Sequence, residues 1–200
     1  MAVFDQLAER YQGEHGSNPF QSALIERINR LLPSGTSVLD LGCGTGIPTA
    51  KILSETDHRV IGVDISTGML RLAREQVPDA EFVHADFTEL PDDFGGFEAV
   101  TAFFSLLMLS RADIERTLDK VAGWLKPGGY FGIGMVNFDG DGLPFDFLGV
   151  PVTVSGYLKD DLAALLEAHG FAVVSIETVE FTPPAGAPES QIFALAQRPD

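Results

Sequence analysis

Apolar residues along the chain recur at two different spacings, and each spacing predicts a different kind of element. Phe4, Leu7, Ala8 and Tyr11 fall at helical intervals, and a second helix opens with Asn18 as its cap and Pro19 at its first position. The predicted inward stripe of that helix is Phe20, Leu24, Ile25, Ile28, Leu31 and Leu32, and Pro33 ends it. From there short apolar runs alternate with amphipathic helices. The runs are 37–41, 59–64, 81–85, 97–104 and 130–136, and the helices begin near Ile47, Ser66 and Ala112. This rhythm predicts a doubly wound α/β fold, a parallel sheet with helices on both faces. The third of these helices sets Ile114, Leu118, Val121, Ala122 and Leu125 on one stripe before Lys126-Pro127-Gly128-Gly129 breaks it. A final helix turns Leu158, Leu162, Leu165 and Leu166 inward and closes at His169-Gly170. Runs 171–181 and 191–197 follow with no helix between them. They predict an antiparallel pair at the end of a seven-stranded, mostly parallel sheet.

The segment 137–155 breaks the rhythm. It is rich in glycine and proline, carries Phe138, Phe145 and Phe147, and holds Asp139 and Asp141 close together. Its pattern predicts a long loop, and long ordered connections often cover a ligand site. Composition adds bounds. A chain of 200 residues with 45% apolar side chains suits one core, so residues 1–200 read as a single domain. A net charge of −16 opposes any binding that neutralises phosphates, which sets nucleic acid aside; the same charge also serves plain solubility. One cysteine, Cys43, excludes an intramolecular disulfide. The start of the chain lacks a basic region followed by an apolar stretch, and no apolar run approaches the roughly 20 residues of a membrane span. The expectation is a cytoplasmic protein with no membrane span, a monomer or homodimer.

Chemistry concentrates at the end of the first strand, where Val38-Leu39-Asp40-Leu41-Gly42-Cys43-Gly44-Thr45-Gly46 runs from a buried strand into glycines that open a helix. Ligands of open parallel sheets bind outside the carboxyl ends of the strands. Glycine there lets a ligand approach the backbone, although a plain tight turn has the same composition. In a dinucleotide fingerprint the third glycine comes three residues after the second; here Gly44 and Gly46 are two apart, which favours a nucleoside without a pyrophosphate. Asp64 closes the second strand about twenty residues on, where a carboxylate can accept both hydroxyls of a ribose or cap the helix before Ser66. At the third strand end, His84-Ala85-Asp86-Phe87 offers an acceptor for an exocyclic amine and a ring for a purine.

Read together, Val38 to Gly46, Gly62 to Ser66 and Ala85-Asp86-Phe87 resemble the class I S-adenosylmethionine-dependent methyltransferases, within them the UbiE-like quinone-ring branch. Leu125 to Tyr130 and the Phe4-Asp5-x-x-Ala8-x-x-Tyr11 opening agree, so the resemblance spans almost the whole chain. It implies a Rossmann-like sheet and S-adenosyl-L-methionine as cofactor, with S-adenosyl-L-homocysteine as product. It further implies that Asp40, Gly42, Cys43 and Gly44 line the methionine end, and that Asp64 takes the ribose. Ile65 and Met69 would pack on the adenine, Asp86 and Phe87 would hold its amino edge, and Tyr11 and Phe103 would border the sulfonium. Relatives often carry a histidine near the end of the fourth strand, where this chain has Met108, and the tetrapeptide of amino-methyltransferases is absent.

The implied activity is methyl transfer to a small, partly apolar acceptor, at oxygen, carbon or nitrogen. A base is needed only if the acceptor must shed a proton, and His15, Asp139, Asp141 and Tyr157 are the candidates; each also reads as a solvated or capping side chain. No metal is assigned. Residues 1–33 form the expected helical lid and 137–155 the loop over the acceptor site, unless its aromatics simply anchor it to the core. Competing readings are a cofactor-binding enzyme of the same fold with a non-methylating reaction, and a nonenzymatic cofactor-binding protein. A nicotinamide oxidoreductase lies further off.

Overall fold

The computed structural model describes residues 3–5, 7–8, 10–11, 18–184 and 187–200. Asn18 caps the first long helix, α1 (Pro19–Leu31): its side chain accepts hydrogen bonds from the Phe20 and Gln21 amides, donors that a helix start otherwise leaves without partners. The chain continues through β1 (Ser37–Leu41), α2 (Thr49–Ser54), β2 (Arg59–Asp64), α3 (Thr67–Gln76) and β3 (Glu81–His84). It then forms β4 (Phe97–Phe103), α4 (Arg111–Trp124), β5 (Leu125–Val136), β6 (Gly140–Phe147) and β7 (Val150–Gly156). The last elements are α5 (Lys159–Ala168), β8 (Ala172–Phe181) and β9 (Glu189–Gln197).

Seven strands make one sheet in the order β3-β2-β1-β4-β5-β9-β8, parallel through β5, with β9 antiparallel to both β5 and β8. The predicted doubly wound sheet with an antiparallel end is therefore present. Beside β1 the direction of strand addition reverses, and in such a sheet that reversal leaves a crevice beyond the strands' carboxyl ends. Here it opens past Leu41 and Phe103. Side chains alternate across the sheet. Leu39, Leu41, Val63, Phe131 and Ile133 face α4 and α5, where Trp124, Leu118 and Leu166 cover them. Val38, Val60, Phe82 and Leu195 face α1, α2 and α3, against Ile25, Ile28, Leu53 and Leu70. No helix among the described residues is long and apolar enough to cross a membrane.

Three expectations change. Phe20 and Leu31 are 37% and 43% exposed, and the buried stripe of α1 is Gln21, Leu24, Ile25 and Ile28. At 100° per residue both outliers lie roughly 80° from the centre of that stripe, on its flank. Leu158, 46% exposed, is the residue preceding α5 and does not join Leu162 and Leu166 inside. β5 starts at Leu125, because Lys126 to Gly129 form a bulge within the strand: Phe97 pairs with Leu125 and Ala99 already with Tyr130.

The largest difference lies at 137–155, which is a hairpin, not a loop. β6 and β7 pair antiparallel around a two-residue turn at Leu148 and Gly149, both in left-handed backbone (φ 53° and 80°). That is the turn geometry a two-residue hairpin favours.

Candidate active site

The turn after β1 is set by close approaches. Gly42 and Cys43 donate to the Val63 carbonyl at 2.8 and 3.1 Å, which folds the turn back over β2. Gly42 has φ 68°, and a Cβ there would lie 2.3 Å from the Ser105 Cβ, so this position accepts neither a side chain's bulk nor its backbone preference. Over Gly44, also left-handed at φ 54°, a Cβ would meet nothing within 4 Å, so this backbone faces open cavity. Asp64 ties the turn to the next helix. Its Oδ2 accepts from the Gly44 amide at 2.9 Å and its Oδ1 from the Ser66 amide at 2.8 Å. Ser66 in turn caps α3 by accepting from the Met69 amide. Burial raises the Asp64 carboxyl above its ordinary range, against the pull of these amides.

Asp40 follows the alternation of β1 onto the α1 side and is 2% exposed. Thr101 Oγ1 donates to it at 2.7 Å. Burial, outweighing that hydrogen bond and assisted by the charge of Asp64, lifts its pKa from 3.8 to about 7. Asp40 lines a small polar pocket with Gln21, Cys43, Thr45 and Thr49. In that pocket the buried Thr45 hydroxyl has no hydrogen-bond partner among the described residues. Gln21, a polar side chain on a buried helix stripe, donates to Thr49 Oγ1 at 3.3 Å. Cys43 is buried, and burial above all raises its thiol, so it offers no thiolate nucleophile.

Through Gly42, Gly44 and Phe103 the small pocket adjoins a cavity of about 1200 Å³. Asp64, Ile65, Met69, Asp86 and Phe87 line one end of it. Asp86 also accepts from the Thr88 amide and hydroxyl through Oδ1, at 2.9 and 2.7 Å. The other end is apolar. Leu143, Phe145, Phe147, Val152 and Val154 reach into it from one face of the hairpin, at the period of two that a strand imposes. Phe4, Arg10 and Tyr11 of the N-terminal segment line a further part of it. Asp5 Oδ1 accepts from Ser66 Oγ at 2.7 Å and the Gly68 amide at 2.9 Å, and those hydrogen bonds, Gly68 first, hold its carboxyl below the ordinary range. Gly68 is required there, since a Cβ would approach the Asp5 carbonyl to 2.8 Å. Arg10 donates to the Leu148 carbonyl at the hairpin tip, and Phe4 and Tyr11 both pack on Phe147. Tyr11 lines both spaces; burial, reinforced by Asp64 and Asp40, pushes its phenol up to about 12.

All eleven residues assigned to the cofactor by resemblance thus line one or both of these connected spaces. The base candidates are placed differently. Asp139, Asp141 and Tyr157 gather around Arg111, which pairs with Asp139 at 2.5 Å, donates its amide to Asp141 at 3.0 Å and sits 4.3 Å from the centre of the Tyr157 ring. None of the three is among the cavity-lining residues; they fasten the base of the hairpin to the start of α4. His15 lies outside the described residues. Asp5, Gln21 and Thr45 contact or line these spaces, and the sequence reading gave none of them a role. Asp5 and Thr45 stood within the quoted motifs, and Gln21 left its own signal, a polar residue in an apolar stripe.

A family model described as a methyltransferase domain matches residues 38–129. An uncharacterized methyltransferase of Synechocystis sp. is 31% identical over 179 residues, covering 86% of this chain and 82% of that protein. The chain belongs to the class I S-adenosylmethionine-dependent methyltransferases. Its UbiE-like character shows in a demethylmenaquinone methyltransferase of Clavibacter sepedonicus, 39% identical over 64% of this chain. The chain spans about half of that relative's length, 54%. Among solved structures, an S-adenosylmethionine-dependent methyltransferase from Methanosarcina mazei shares the fold, with a TM-score of 0.75 at 20% identity over 86% of this chain and 97% of that one.

The methyltransferase turn yields a direct test. Gly42→Ala combines left-handed strain with overlap at Ser105 and is expected to cost about 2 to 4 kcal/mol in thermal unfolding. The same change should cost less on a Ser105→Gly background, which removes the overlap but not the strain and accounts separately for the lost Ser105 Oγ to Leu41 carbonyl hydrogen bond. An equal cost on both backgrounds would contradict the packing described.

Proposed function

We propose that the protein transfers the activated methyl group of S-adenosylmethionine to a small, partly apolar acceptor held beneath the hairpin, leaving S-adenosylhomocysteine. The observation that carries this reading is one cavity that meets the glycine turn, Asp64 and Asp86 at one end and the hairpin's apolar face at the other. Pockets for single small ligands run to roughly 300–1000 Å³. A space of about 1200 Å³ has room for two.

The residues present fit the cofactor. A carboxylate offers about four lone-pair sites. Asp64 receives the Gly44 and Ser66 amides on different oxygens, with the Ile65 amide also drawn to it, and keeps acceptor capacity for a ribose hydroxyl. Ile65, 51% exposed beside buried Met69, offers an apolar face for the adenine, with Asp86 and Phe87 at its amino edge. The small pocket would take the amino-acid end, with Asp40 facing the ammonium and Thr45 supplying a hydroxyl. Bound there, the cofactor supplies a methyl group on a positive sulfur, which departs by in-line displacement. The protein's work is then to align acceptor and methyl and to exclude water. Tyr11 and Phe103 border the reacting region; with its phenol raised, Tyr11 remains a hydrogen-bond donor and not a base. The N-terminal segment, within residues 1–33, and the hairpin of 137–155 serve as the lid, joined through Arg10 and Leu148. Asp139, Asp141 and Tyr157 act through the hairpin's anchorage.

The net charge of −16 supports a small-molecule acceptor over nucleic acid, and the proposal includes a cytoplasmic protein, monomer or homodimer. O-, N- and C-methylation are all compatible with an in-line displacement.

Asp40 makes cofactor binding depend on pH. Because its folded pKa of about 7 lies above the unfolded value, its contribution to stability is complete below about pH 4 and is lost as the pH rises through 7. The ionised form that appears above 7 is the one that attracts an ammonium. S-adenosylhomocysteine affinity should therefore rise about tenfold from pH 6 to 8 in calorimetric titrations, with Asp64 acting in the same direction. Asp40→Asn should flatten most of that rise, and a variant with the wild-type slope would remove Asp40 from the site.

Phe145 is 52% exposed on the hairpin's cavity face. Phe145→Ala is expected to lower acceptor turnover severalfold while leaving S-adenosylhomocysteine affinity within about twofold. Equal loss of both would point to folding instead.

A further inference from the structure

Beside its apolar lining the cavity holds a carboxylate at the start of the last strand. Glu189 lines it, begins β9 and takes part in no ion pair among the described residues. Its Oε1 accepts from Gln191 Nε2 at 2.5 Å, and Oε2 receives no hydrogen bond from any described residue. Glu189 is part-buried, and its second oxygen is an acceptor available to a molecule in the cavity.

The orientation of this group follows from the helix cap. Asn18 Oδ1 must accept, because the Phe20 and Gln21 amides point at it. That leaves Asn18 Nδ2 as donor, and it donates to Gln191 Oε1 at 2.8 Å. Gln191, 2% exposed, then has only Nε2 to offer, and the acceptor it finds is Glu189. Each amide's flip is fixed by its neighbour, and the chain of bonds ends on a carboxylate with an open oxygen.

The Asn18 end of this run of hydrogen bonds adjoins the small polar pocket. Glu189, Gln191 and Phe193 share one face of β9 by the strand's alternation. Phe193 packs edge-on to Phe104 and against Phe103, with ring centres 5.9 and 6.4 Å apart, and Phe103 borders the small polar pocket. Asn18 adjoins Gln21, which lines that pocket too.

We propose that Glu189 is the acceptor-binding residue and that it selects apolar molecules carrying an O–H or N–H donor, with Gln191 and Asn18 as the positioning residues that aim it. The proposal rests on the methyl-transfer reading for what lies next to the acceptor, and it narrows the acceptor class to hydrogen-bond donors. A molecule of the same shape whose donor is already capped, such as a methyl ether, would leave Glu189 without a partner. That asymmetry makes the site able to distinguish an unmethylated acceptor from its product.

The test uses 4-propylphenol and 4-propylanisole as probes, which share a skeleton and differ in the O–H, titrated by calorimetry into the full chain with and without S-adenosylhomocysteine. The wild type should bind the phenol about tenfold or more tighter than the ether, as expected for a hydrogen bond to a charged acceptor. Glu189→Leu should bring the ratio near one, and Gln191→Leu should lower it by about threefold while Glu189 remains. Should Glu189→Leu not fold, the isosteric Glu189→Gln decides: it must lower the ratio by at least about threefold. A wild-type ratio near one, or a ratio unchanged in a folded Glu189 variant, overturns the proposal. Failure of S-adenosylhomocysteine to bind the wild type overturns the cofactor reading instead, and the probe ratio measured without it still decides Glu189.

Discussion

The rest of the structure depends on the carboxylate of Asp64. It is held at the end of a buried parallel strand, and its two oxygens accept from Gly44 in the turn after β1 and from Ser66 at the start of α3. Two consecutive βα junctions are thereby fixed to one another, and the cleft between them has a defined width before anything binds. Leaving a buried carboxylate unpaired would be costly, so the amides cannot drift without the acid losing its partners. Gly42 makes this possible, because a side chain there would overlap Ser105, and Gly44 takes its left-handed φ without strain. Asp5 extends the arrangement: it binds the same Ser66 and Gly68, so the N-terminal segment is docked on the helix start that Asp64 organises.

From that fixed end the cavity grades into an apolar one, and the grading follows from topology. The crevice opens where the sheet changes direction, and the only cover the parallel strands can receive there comes from connections beyond their carboxyl ends. In this chain the cover is a hairpin whose inward face carries Leu143, Phe145, Phe147, Val152 and Val154. Its base is fastened by Arg111 and its tip touches Arg10, with aromatic contacts from Phe4 and Tyr11 alongside. A reaction governed by alignment and the exclusion of water gains most from cover of this kind.

What the sequence revealed and what it hid have physical causes. β1 and β2 are legible to the residue because parallel strands buried on both faces read as continuous apolar runs, and because glycines and an acid close them. The turn and acids at the strand ends were legible for the same reason, since Asp40, Gly42, Gly44 and Asp64 stand within those strands or one turn beyond. The hairpin was hidden because Gly140, Gly142, Pro144, Gly149 and Pro151 speak for a loop. Its turn uses Leu148 at positive φ, where asparagine would have signalled it. Beneath those breakers the alternation of Leu143, Phe145 and Phe147 was present. Asp139, Asp141 and Tyr157 stood out by chemistry alone; their partner Arg111 is distant in sequence, so their gathering away from the cavity could only be seen in three dimensions. Glu189 and Gln191 read as ordinary strand polarity until the cap of α1 is placed beside them.

The most direct measurement is an amide NMR titration of the full chain with S-adenosylhomocysteine. Saturable shifts centred on Gly42, Gly44, Asp64 and Ile65, continuing to Asp86 and Phe87, are the result predicted for a ligand seated on the two joined junctions. Saturation with those amides unmoved, or with shifts confined to β8 and β9, would contradict it.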